Sequence, residues 1–65
     1  MEYSNSQIKE VINEYIHNEK YRKLLIRRYV DGITQEKLAE EFDLSVRQVK
    51  NILYKHENII FKHLK

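Results

Sequence analysis

No proline and a single glycine, Gly32, interrupt the 65 residues of this chain. Almost nothing in it breaks a helix, so helix boundaries have to come from capping chemistry and apolar spacing. Ser4 with Gln7 and Ser45 with Gln48 each form a Ser-x-x-Gln capping box. In such a box the hydroxyl accepts an orphan backbone N–H of the first turn, and the amide reaches back to the N–H of the cap residue. Tyr3 and Ile8 flank the first box, and Leu44 and Val49 the second, at hydrophobic-staple positions. Thr34 is a further cap with Ile33 and Leu38 as its staple pair, and Gly32 after Asp31 can take the left-handed stop of the preceding helix.

Between these signals the apolar residues recur at helical spacing. Ile8, Val11, Ile12, Tyr15 and Ile16 form one stripe; Tyr21, Leu24, Leu25, Arg28 and Tyr29 a second; Val49, Ile52, Leu53, His56, Ile60 and Leu64 a third. The pattern predicts an all-α fold of four helices over about residues 5–17, 19–31, 35–42 and 46–64, with no strand alternation and no internal repeat. A chain of 65 residues builds one core, so residues 1–65 read as a single domain. With no cysteine there is no disulfide or thiolate staple. A core this small yields roughly 3–5 kcal/mol, which predicts marginal stability or a dimer. Apolar runs such as Ile59 to Phe61 are too short to cross a bilayer, and the first residues lack a basic stretch leading into an apolar one. A soluble, cytoplasmic protein is expected.

A net charge of +2 says little by itself, but the charge is segregated. Lys20, Arg22, Lys23, Arg27 and Arg28 lie in a stretch without an acid, whereas Glu36, Glu40, Glu41 and Asp43 outnumber Lys37 in the next. From Leu44 onward Arg47, Lys50, Lys55, Lys62 and Lys65 face only Glu57. A one-faced basic surface requires such polarity.

Residues 34–53 carry the helix-turn-helix pattern. Leu38, Phe42, Leu44, Val49 and Ile52 are its apolar positions, and small Ala39 sits where the second helix crosses the first. The string from Arg28 to Ser45, with Val49, Lys50, Leu53 and Tyr54 after it, resembles region four of bacterial sigma factors and similar domains of response-regulator and phage activator proteins. The likeness runs from about Leu24 to Leu64. It implies that the helix opened by Ser45 enters the DNA major groove in a promoter-binding role. Asp43 stands where that family often has glycine or asparagine, and aspartate tolerates the left-handed turn. No region for binding a core promoter element or melting DNA is recognised, so a complete sigma factor is not expected. Residues 1–18 form an N-terminal helix of unassigned role, outside the resemblance, which either covers the core or makes a dimer surface.

On a helix starting at Val46, Arg47, Gln48, Lys50, Asn51, Tyr54 and Lys55 lie opposite the apolar stripe. Arg or Lys pairs with guanine and Gln or Asn with adenine, mostly from the first turns of a recognition helix. Arg47, Gln48, Lys50 and Asn51 are therefore the expected base contacts. The competing reading is an ordinary solvated face, with Gln48 occupied by its cap. Thr34, Lys37, Tyr54, Lys55, Arg27 and Arg28, with Arg22 and Lys23 behind them, are candidates for phosphate contact, Thr34 through the N-terminus that it caps.

Other chemistry has little support. His17, His56 and His63 lack the spacing and the cysteines of a metal site, and partly buried histidines fit them better. Glu10 with Glu14, and Glu40 with Glu41, come without a nucleophile or phosphate loop. No enzyme activity, cofactor, metal, membrane or small-molecule ligand is expected. Tyr54 and Phe61 lie off the main stripe of the last helix as a second apolar seam. That seam favours a homodimer through the first or last helix, against the alternative that helix one covers it within a monomer.

The leading expectation is a small transcription regulator that binds double-stranded DNA sequence-specifically, of phage or mobile-element origin by its size and its Lys, Ile and Asn usage. The rival is a helix-turn-helix module that docks on RNA polymerase, a sigma factor or another host protein without reading DNA. A third reading combines the two, with Glu36, Glu40 and Glu41 facing the polymerase.

Overall fold

The computed structural model describes residues 4–64. It contains four helices in the order α1 (Asn5–Tyr15), α2 (Glu19–Tyr29), α3 (Gln35–Glu41) and α4 (Val46–His63). The all-α class and the helix starts are as the sequence predicts, because each cap acts where it stands. Gln7 N–H donates to Ser4 Oγ at 3.2 Å while Ser4 N–H donates to Gln7 Oε1 at 2.9 Å. Gln48 and Ser45 repeat the exchange at 3.1 and 2.9 Å, and Lys37 N–H donates to Thr34 Oγ1 at 3.2 Å. The Tyr3 side of the first staple, and Lys65, lie outside the described residues.

The helix ends fall one to two residues short of the predicted ones, for local reasons. Asn18 is an N-cap in its own right: in an extended conformation its side chain accepts from Tyr21 N–H at 3.1 Å. A residue so used cannot continue α1, and Ile16 is already extended. The Ile16 carbonyl left free by that ending receives Arg22 Nε at 2.9 Å. At the end of α2, Gly32 takes φ +71°, and the Arg28 guanidinium donates to Ile33 O at 2.9 Å, drawing the loop back onto the helix. The last helix stops at His63, with Leu64 as its C-cap.

The α3 to α4 turn is a Schellman motif. Leu44 N–H donates to Ala39 O at 2.8 Å, and Asp43 N–H to Glu40 O at 3.4 Å, around Asp43 at φ +57°. Aspartate thus fills the left-handed position that glycine usually takes.

Ile12 and Ile16, Leu24 and Leu25, Leu38 and Ala39, and Val49, Ile52, Leu53, Ile60 and Leu64 form a single buried cluster drawn from all four helices. No polar side chain is buried among the described residues. Each fully buried Leu or Ile contributes about 1.5–3 kcal/mol. α4 packs on α3 and α1, and α2 packs on α1 and α3. α1 thus closes the core against α2 and α4. No helix among the described residues is long and apolar enough to cross a membrane.

The histidines divide. His56 is half-buried, with Nδ1–H donating to Ile52 O at 2.7 Å and its ring edge-on to Tyr21 at 5.3 Å. His17 and His63 are exposed, so the partly buried reading does not extend to them; His63 stacks flat on Tyr15 at 3.8 Å. Phe61 of the predicted seam meets Tyr29 of α2 edge-on at 5.8 Å, whereas Tyr54 remains 75% exposed. The seam is thus covered in part by α2. Burial there pushes the Tyr29 phenol up from its ordinary pKa; Glu57 adds to the effect and Arg28 opposes it.

Candidate nucleic-acid interface

The site is assembled on the outer face of α4. Val49, Ile52 and Leu53 turn inward, and with Ala39 only 7% exposed α3 can pass close beneath. That leaves Arg47, Gln48, Lys50, Asn51, Tyr54 and Lys55 exposed together on the opposite side, as the spacing predicts. Arg47, Lys50 and Lys55 have no acidic partner among the described residues. A basic face of this kind keeps its full charge for an anion. Gln48 is divided: its Oε1 is held by the cap at 2.9 Å, which leaves its NH2 group as a donor toward a ligand. Thr34 and Lys37, at the start of α3, are exposed as well.

The predicted basic contributors from α2 are placed differently. Arg27 makes a two-pronged bond to Glu41, from Nε to Oε1 and from Nη2 to Oε2, both at 2.8 Å, and a third to Asp31 at 3.1 Å. Hydrogen bonding to Glu41 and then to Asp31 raises the Arg27 pKa, and the same bond holds the Glu41 carboxyl below its ordinary value. Arg28 donates to Ile33 O, and Arg22 to Ile16 O. These arginines tie α2 to its neighbours and to its own flanking loops. Arg27 and Arg28, expected as phosphate contacts, are thus placed with guanidinium N–H groups bonded to Glu41, Asp31 and Ile33 O. Glu41 leaves the acidic patch by the same bond, while Glu36 and Glu40 stay exposed and unpaired among the described residues.

A groove of about 380 Å³ runs beside the α4 face, between it and the start of α2, with Lys20, Tyr21, Gln48, Asn51, Lys55 and His56 along it. Lys20 was not singled out by sequence reasoning. Its signal was present in the basic stretch, but only the packing of α2 against the core shows which members of that stretch border the α4 face. No cluster of three or more potential metal ligands occurs among the described residues.

A family model described as Sigma-70, region 4 matches residues 18–55, more than half of the chain. The match covers α2, α3 and the first half of α4, beginning at the Asn18 cap and leaving α1 outside. Neither the curated proteins nor the solved structures gave a match.

Proposed function

The chain belongs to the sigma-70 region 4 family, whose members are helix-turn-helix domains that bind DNA and contact RNA polymerase, and on that premise we propose that it is a small regulator of transcription that reads double-stranded DNA sequence-specifically through α4. The observation that carries the reading is the exposed face of α4, where Arg47, Lys50 and Asn51 stand together with no acid to neutralise them among the described residues.

Residues in the first turns of a recognition helix reach base edges, and a good bidentate pair discriminates by about 1–3 kcal/mol. Arg47 and Lys50 suit guanine, and Asn51 suits adenine. Gln48 contributes through its NH2 group to a purine N7 or a thymine O4, because its oxygen is engaged by the cap. Tyr54 and Lys55 lie on that face and Thr34 and Lys37 are exposed at the start of α3; these four supply phosphate contacts, which fix register without reading sequence. The common core of α1 to α4 supports treating residues 1–65 as a single domain with the motif at 34–53.

A second contact accompanies DNA binding. Glu36 and Glu40 are exposed on α3, away from the basic face in character, and they fit the polymerase-facing role. Glu40→Lys is then expected to abolish activation while leaving DNA affinity intact. A second copy seated along α4 at Tyr54, with Phe61 half-exposed beside it, would place two recognition helices on an inverted repeat with half-sites about 34–36 Å apart.

The test is selection from a randomised duplex pool at low and high salt, with light scattering on the same sample. An enriched motif with salt-sensitive binding supports the reading, and an inverted repeat adds the dimer. Absence of binding at low salt would transfer the function to protein docking alone.

A further inference from the structure

We propose that the groove between the start of α2 and the first half of α4 carries the phosphodiester backbone of one DNA strand, gripped by Lys20 from one wall and Lys55 from the other. The proposal rests on the DNA-binding reading and adds the path of the backbone, through a residue outside the helix-turn-helix.

The groove differs from the other clefts described in the sign of its lining. Lys20 and Lys55 both border it, and no carboxylate does among the described residues. Glu19, although adjacent in sequence to Lys20, is not part of its wall. Neither lysine has an acidic partner among the described residues. The cleft between α2 and α3 has Arg27 paired with its own lining residue Glu41, which leaves Lys23 as its one unpaired cation among the described residues against two in the first. The cleft between α1 and the end of α4 is bordered by Glu10 and Glu14. A polyanion is favoured most in the first, less in the second, and opposed in the third.

Position agrees with charge. Gln48, Asn51 and Lys55 belong both to the groove and to the face of α4 that would enter the major groove. A helix lying in the major groove has a sugar-phosphate strand running along its edge, so a cleft continuous with the reading face meets that strand first. The floor is firm, because Tyr21 is braced edge-on against His56 at 5.3 Å and His56 is bonded to the α4 backbone. Lysine suits such a cleft: its ammonium is a mobile point charge that follows successive phosphates without demanding a fixed geometry.

The test is the salt dependence of binding to a mixed-sequence duplex between about 50 and 200 mM salt. Lys20→Gln is expected to lower the slope of log affinity against log salt by about 0.9, the value of one released phosphate contact. The motif enriched from a randomised pool should not change. Lys55→Gln should lower the slope equally, and Lys9→Gln, on α1, should leave it at the wild-type value. Circular dichroism and melting confirm the fold, since Lys20 is exposed and makes no described bond. A wild-type slope for a folded Lys20→Gln protein that still selects the same motif overturns the backbone path and leaves the DNA-binding reading standing. Absence of salt-dependent binding by the wild type overturns both.

Discussion

α2 and α4 are both basic in sequence, yet the arginines of α2 and the cations on the outer face of α4 are used differently. In α2 the arginines are bonded within the chain: Arg22 to the end of α1, Arg27 across to Glu41 of α3, and Arg28 to the following loop. In α4 Arg47, Lys50 and Lys55 face solvent without an acidic partner among the described residues. The difference teaches that a run of positive charge locates an interface only after internal acids and free carbonyls have taken their share. Both stretches are basic in sequence, but it is on α4 that the cations stand unpaired among the described residues.

The comparison breaks most completely at Leu38. It is fully buried on the helix that lies between the two regions, and Leu38→Ala should cost about 2–5 kcal/mol. For a domain of this size that approaches or exceeds its whole stability, so urea titration should find little folded protein and DNA binding should fall with it. Arg47→Ala sharpens the contrast without touching the core. Specific binding should weaken by roughly 1–3 kcal/mol with the urea midpoint unchanged, whereas Arg27→Ala should lower the midpoint and preserve the enriched DNA motif. Unfolding of the Arg47 variant would mean that the α4 face is misassigned.

The smallest effect is a pH dependence confined to α2 and α3. The Glu41 carboxyl is held below its ordinary pKa of 4.5 by its hydrogen bond to Arg27. The stabilisation is therefore fully present above that ordinary value and is lost as pH falls through the lower folded-state value. Melting temperatures followed from about pH 6 to about pH 3 should fall less steeply in Glu41→Gln than in wild type. An identical slope in the two proteins would remove the ion pair from the account.

What the sequence made legible is mostly local. Ser4, Thr34 and Ser45 each need only the backbone of their own first turn, so their caps could be recognised without knowing the fold, whereas the left-handed turn at Asp43 was implied by the family resemblance, aspartate standing where glycine or asparagine is common. The outward set on α4 was legible because helical periodicity opposite a clear apolar stripe leaves one solution. Helix ends were less so. The ending of α1 depends on Asn18 being drawn into α2 as its cap, and on Arg22 reaching back to Ile16 O. The pairing of Arg27 with Glu41 joins residues fourteen apart on different helices, and no periodic pattern encodes such a partnership. For the same reason Lys20 was not distinguishable in advance from Lys23: one borders the α4 groove and the other the α2 to α3 cleft.

The most direct test of the account is a backbone amide map of the labelled protein titrated with the duplex motif selected from the randomised pool. The largest shift changes are predicted from Arg47 to Lys55, with Arg27 and Arg28 nearly still. Changes centred on Arg27 and Arg28, with α4 unmoved, would contradict the claim that available rather than total charge marks the DNA-binding face.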